Sequence, residues 1–164
     1  MVIHYCDFCM STLQPALEGK VLDFLREHKT MVLTCMSETN VPYCLPLTYA
    51  VDTEMTLYFT TPKPSRKYSH MKLNNKVSLV VYEDNMVPTS VTIEGEVNEI
   101  DDPEEARYVL TQVVNRVWQE SPFVPTSFRL KKETLTVMRI RPQKVTWFQD
   151  RIMDSVIENE SLVL

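Results

Sequence analysis

The chain has 164 residues, 44% of them hydrophobic and 24% charged, with a formal net charge of −5. That length suits one domain with a real core, and the acidic balance argues against nucleic acid or an anionic membrane surface, both of which reward a basic face. The chain has only two glycines, Gly19 and Gly95, which excludes the P-loop and the dinucleotide-binding GxGxxG, since each needs several.

No apolar run approaches the roughly 18 residues of a membrane span. The opening MVIHYCDFCM lacks a basic segment followed by an apolar one. The expectation is a cytoplasmic protein with its four cysteines mostly reduced.

In chain order, Leu17, Val21, Leu22 and Leu25 form a helical stripe within residues 13–28, with Pro15 in the first turn. Strands follow over 30–36, 41–51 and 55–61, rich in β-branched and aromatic residues. Glu38-Thr39-Asn40 joins the first two as a hairpin, and Asp52-Thr53-Glu54 makes a second turn. With the turn at Thr39-Asn40, Cys35 and Cys44 face each other. A cross-strand disulfide is sterically demanding, so two buried thiols are expected.

A short helix spans about 65–73 and ends at Asn74-Asn75, where asparagine accepts the left-handed conformation. Residues 76–84 read as a buried strand. In 89–100, Val91, Ile93 and Val97 alternate with Thr92, Glu94 and Glu96, and Gly95 marks a bulge or close backbone approach. A helix over 101–118 has an Asp cap, Pro103 in its first turn and early acids. A last strand covers 134–148, with Pro142 at an edge or bulge. The state of 150–164 is open.

The consecutive strands and tight turns give a mainly β (α+β) class. Six antiparallel strands with flanking helices close into a small barrel. The chain is read as a single domain over 1–164, with its core at 17–148 and peripheral tails at 1–12 and 150–164.

The stretch TTPKPSRKYSHMKLNNK, residues 61–77, carries chemistry. A phosphate monoester bears about −1.5 to −2 charge. Arg66 offers a planar fork, Lys67 a point charge, and Ser65 a hydroxyl. The helix start adds N–H groups, and Thr60 and Thr61 add hydroxyls. The competing reading is Ser65 as a helix cap beside two solvated cations, which the helix dipole slightly disfavours.

Three segments carry a family resemblance: LYFTTPKPSRKYSHMKLNNKVSLVV (57–81), TCMSETNVPYCLPLTYAVD (34–52) and IEGEVNEIDDPEEAR (93–107). Their order and spacing resemble the pyridoxamine 5′-phosphate oxidase-like, FMN-binding split-barrel family over about 17–148. The resemblance implies a split barrel binding FMN non-covalently. Ser65, Arg66 and Lys67 would hold the phosphate, and Thr60 and Thr61 would lie against phosphate or ribityl chain. Backbone at Pro46, Leu47, Thr48 and Tyr49 would follow the isoalloxazine edge. Ser90 stands where related oxidases place a flavin-contacting glutamine. Such proteins are homodimers with FMN at the subunit interface, acting with a small-molecule substrate or electron acceptor.

The departures point to a divergent relative. The oxidases carry an Arg and a Lys on the strand that here reads LPLTYA, and an Arg-x-His that VTWFQDRIMD lacks, although Trp147 is present. The implied activity is an FMN-dependent oxidoreductase of unknown substrate, with no catalytic side chain or metal site picked out. The alternatives are a non-enzymatic FMN or haem binder for electron transfer, storage or sensing, a deazaflavin protein, or a barrel without cofactor.

Cys6 and Cys9 form a lone C-x-x-C near His4, read as structural, with a redox pair or half a zinc site as the alternatives. His28 and His70 are single histidines, candidate iron ligands only if haem binds. Trp118 reads as core, and Asp101, Asp102, Glu104 and Glu105 as helix capping.

Overall fold

The computed structural model describes the backbone of residues 7–84, 87–120, 135–151 and 156–163, and side chains within 16–84, 87–112 and 135–149. The elements are α1 (Asp7–Glu27), β1 (Thr30–Met36), β2 (Pro42–Thr48), β3 (Ala50–Val51), β4 (Leu57–Pro62) and α2 (Arg66–Leu73). They continue as β5 (Lys76–Glu83), β6 (Thr89–Glu99), α3 (Pro103–Glu120), β7 (Leu135–Arg151) and β8 (Val156–Val163).

The strands form one antiparallel sheet in the order β2-β1-β5-β6-β7-β4-β3, with β8 paired to β7. The six expected strands are present, but the run expected as one strand over 41–51 is broken. Tyr49 is buried, donates its hydroxyl to the Leu25 carbonyl at 2.7 Å, and donates its amide to the Lys29 carbonyl at 3.2 Å. The amide bond extends the β1–β2 register by one last step and the hydroxyl bond ties the residue to α1; beyond it the chain changes partner, so β2 pairs with β1 and β3 pairs with β4. The sheet therefore begins and ends on the two halves of one stretch of chain. The ring is closed covalently at Tyr49, which makes it a split barrel.

Strand alternation fills the interior. Met31, Leu33, Leu57, Phe59, Leu79, Val81, Val91, Ile93, Met138, Ile140 and Val145 are buried inside, and α1 seals them with Val21, Phe24 and Leu25. Each such side chain contributes roughly 1.5–3 kcal/mol by burial. A smaller cluster of Ala50, Ile100, Val109 and Val137 seats α3 on the outside. The Asp102 carboxylate accepts the Glu104 amide at 3.0 Å, the expected cap.

Gly95 sits at a register shift opposite Pro142. A Cβ there would collide with the Arg141 carbonyl, so the close approach that Gly95 signalled is real, and Pro142 lies at the bulge rather than on a free edge.

Three expectations are corrected. Helix α1 begins at Asp7, so Pro15 lies in its interior rather than its first turn and forgoes an amide bond to Ser11. Asn74 caps α2 in an extended conformation (φ −138°, ψ 109°), not a left-handed one, and its side chain accepts the Lys76 amide at 3.0 Å. Cys35 pairs with Tyr43, and Cys44 with Thr34. The loop Glu38-Thr39-Asn40 sets Ser37 against Val41, and that one-residue difference puts the two thiols on opposite faces. Cys35 is buried and Cys44 exposed. Residues 156–163, whose state the sequence leaves open, add β8 to the half of β7 that β4 leaves unpaired.

Candidate functional site

Helix α2 lies across one mouth of the barrel, and the strands supply polar groups at inward-facing positions there. Thr61, Thr136 and Glu99 occupy positions where the alternation of β4, β7 and β6 would otherwise place apolar residues. The Thr61 hydroxyl is 3.0 Å from the Ser65 hydroxyl. Ser65 caps α2 by accepting the Tyr68 amide at 3.4 Å.

Glu99 gathers the rest of this side. Its carboxylate accepts from Lys63 at 2.8 Å, Thr136 at 2.7 Å and the Tyr68 hydroxyl at 2.8 Å. Lys72 stands 3.5 Å away. Burial alone would raise the carboxyl, but the donors Lys63, Thr136 and Tyr68 outweigh it and hold it at about 2.

The opposite face of α2 is different. Arg66 lies over the Tyr43 ring, with its guanidinium carbon 4.8 Å from the centroid. Lys67 is half-buried, and desolvation pushes its ammonium down, opposed by the nearby Cys35 thiol. Burial in turn pushes the Cys35 thiol up. His70 packs edge-on to Tyr43 at 5.3 Å, and its Nδ1 is buried without a hydrogen-bond partner among the described residues. Among the described residues no carboxylate pairs with Arg66 or Lys67. On one side of α2 the Lys63 and Lys72 ammonium groups share the Glu99 carboxylate, and on the other a cation pair without a partner carboxylate among the described residues stands beside a helix start, an arrangement suited to an anion.

The expected site residues divide accordingly. Thr61, Ser65, Arg66 and Lys67 are brought together at the mouth. Thr60 adjoins them in sequence but faces outward, being half-buried opposite Val137. On β2, Pro46 and Thr48 face outward, while Leu47 packs against the core. Tyr49 is committed to the core through its hydroxyl and amide. Ser90 lies at the far end of β6 from Glu99, opposite Tyr82 and Phe148, about 30 Å along the strand at the usual rise.

The other candidates resolve structurally. The His28 Nδ1 lies 2.8 Å from the Phe24 carbonyl at the end of α1. Glu105 pairs with Arg139 at 2.7 Å. His4, Cys6 and the side chains of Cys9 and Trp118 lie outside the described residues, and no metal cluster occurs among those described. Sequence reading missed Glu99 and Tyr43. The signal for Glu99 was available, because an acid sits at the inward parity set by Val91, Ile93 and Val97.

The sequence profile described as pyridoxamine 5′-phosphate oxidase matches residues 17–147. The chain belongs to that family. No curated protein sequence matches it. A conserved hypothetical protein from Mycobacterium tuberculosis superposes with TM-score 0.65 at 19% identity, covering 78% of this chain and 81% of that one. An FAD-binding protein from Mesorhizobium loti gives TM-score 0.63 at 20% identity, over 81% and 94%. A haem-binding protein from Mycobacterium smegmatis gives TM-score 0.65 at 11% identity, over 85% of this chain and 57% of that one. Likenesses this distant show the family's fold alone. Among the described residues, no helix is long and apolar enough to cross a membrane.

Proposed function

We propose that this member of the pyridoxamine 5′-phosphate oxidase family binds FMN and acts as an FMN-dependent oxidoreductase on a small molecule. The observation that carries the reading is the Arg66–Lys67 pair, without a partner carboxylate among the described residues, beside the Ser65 cap and with the Thr61 hydroxyl behind it. Two cations and a helix start match the dianion of a phosphate monoester. When bound, the flavin supplies the electron or hydride chemistry. The chain's part is to hold and orient it: Arg66, Lys67 and Ser65 at the phosphate, Thr60 and Thr61 near the ribityl chain, and the backbone of Pro46 through Tyr49 toward the ring, with Ser90 too far along β6 to reach the same flavin and left to the one bound mainly by a second copy.

A homodimer completes this reading. Outward-facing Val32, Val80 and Thr92 are only half-buried in one protomer, and Tyr82 beside them is 60% exposed. A second copy covering that face would enclose a ring lying along it, and would bring its own residues to the far end. The reduced thiols fit a cytoplasmic setting.

The test is the absorption spectrum of the purified protein and its titration with FMN. Flavin bands, or uptake of added FMN with a preference over riboflavin, support the reading; a colourless protein that takes up no FMN overturns it. Reduction of bound flavin by NADH or NADPH, then reoxidation by candidate acceptors, separates enzyme from carrier.

The buried, unpartnered Nδ1 of His70 favours a second reading, a non-enzymatic haem binder. A Soret band that is lost in His70→Ala would support it, and failure to bind added haem would remove it.

A further inference from the structure

Glu99 touches α2 and its approach at three points, and the sheet at a fourth. Lys63 precedes the cap by two residues, Tyr68 lies in the first turn and Lys72 in the last. Thr136 ties the same carboxylate to β7. Helix α2 has eight residues, and of these only His70 and Met71 are buried. Two buried side chains fix a helix against a surface but leave it free to roll and tilt. Tyr68 packs partly on the core, Arg66 stacks on Tyr43 and Ser65 meets Thr61; the charged contacts on the other side of the helix converge on Glu99.

We infer that Glu99 is a positioning residue for the anion site: it sets how α2 lies across the barrel mouth, and thereby where Ser65, Arg66 and Lys67 stand. The inference rests on the reading of that site as a phosphate site. The Ser65 hydroxyl accepts the amide of Tyr68, the residue whose phenol Glu99 holds, so the cap and the clasp share one turn of helix. Thr61 then meets Ser65 from the strand side. Releasing the clasp frees the cap from one side only, so the helix start shifts relative to Thr61 and Tyr43.

The sign of the effect separates this role from simple electrostatics. Glu99 is an acid near an anion site, and its removal also releases Lys63 and Lys72. Charge alone therefore predicts that Glu99→Gln binds phosphate more tightly. Positioning predicts weaker binding, because a misaligned fork loses the geometry on which bidentate contacts depend.

The experiment compares FMN with riboflavin, which lacks the phosphate, by quenching of flavin fluorescence in the full chain. For Glu99→Gln we expect FMN affinity to fall about 10-fold while riboflavin affinity stays within about 2-fold. In the Arg66→Ala, Lys67→Ala background the effect of Glu99→Gln on FMN should vanish, since coupled residues are non-additive. Tyr68→Phe removes one donor and leaves the carboxylate. It should weaken FMN in the same direction by about 3-fold, and it serves where Glu99→Gln does not fold. Equal or tighter FMN binding by these variants, or a parallel loss of riboflavin, overturns the inference. A wild-type protein that binds FMN no better than riboflavin overturns instead the phosphate reading beneath it.

Discussion

Arg66 stacks on Tyr43, a residue from the strand opposite Cys35, with no acid drawn to its guanidinium among the described residues. An exposed cation held by an aromatic face and left without a counter-charge is poised for a ligand rather than for stability. Replacing Arg66 and Lys67 together by alanine should therefore weaken FMN binding by about 100-fold or more, at roughly 1.5–3 kcal/mol per charge-assisted bond. Unfolding free energy should change by no more than about 1 kcal/mol. Titration and urea unfolding of the same variant check both halves. Unchanged FMN affinity would remove the phosphate assignment.

The Glu99 carboxyl gives the fold an acid-sensitive joint. Its folded value of about 2 lies below the unfolded range near 4.3. A depressed carboxyl contributes stability that is fully present above the unfolded value and is lost as pH falls through the folded one. The wild type should exceed Glu99→Gln by about 1–3 kcal/mol at pH 6, with the gap closing between pH 4.3 and 2. Urea unfolding across that range measures it. A gap of constant size would show that Glu99 acts through shape rather than charge.

Gly95→Ala places a methyl group against the Arg141 carbonyl at the bulge. Backbone faces it, so no side chain can swing aside. The expected cost is about 2–4 kcal/mol, read as a lower urea midpoint with unchanged slope. Full wild-type stability would mean that the bulge can relocate.

The two barrel cysteines should differ in reactivity. Cys44 is exposed, whereas Cys35 is buried with its thiol pushed up by desolvation. Brief alkylation of the native protein followed by peptide mapping should label Cys44 and spare Cys35. Equal labelling would indicate that the barrel mouth opens on the timescale of the reaction.

Much of the architecture was legible because alternation and turn residues report it directly. Val91, Ile93 and Val97 announced an inward face, Gly95 a crowded backbone, and Ser65 a helix start. What escaped were features that depend on partners distant in sequence. Nothing local to LPLTYAV reveals that Tyr49 is claimed by Leu25 and Lys29, so one strand was read where two exist. The Cys35–Cys44 alignment failed because one residue in the loop decides a face. Glu99 was not singled out; its inward parity was visible, but its role as the common tie of β6, β7 and α2 shows once those elements are joined. At the site, the residue types beside the helix start could be read from the sequence, but the absence of a counter-charge among the described residues could not.

The break at Tyr49 also governs how the protein can be made. Strand β4, at Leu57–Pro62, finds its long ladder partner in β7, at Leu135–Arg151. Before β7 exists, the chain holds β2-β1-β5-β6 on one side and a β3-β4 hairpin on the other, joined at a single residue. No ring can form from those pieces. Such distant pairing favours slow folding and leaves strand edges bare until the last long strand arrives. A chain cut at residue 134 should therefore aggregate rather than yield a smaller domain, even though it retains Ser65, Arg66 and Lys67 intact.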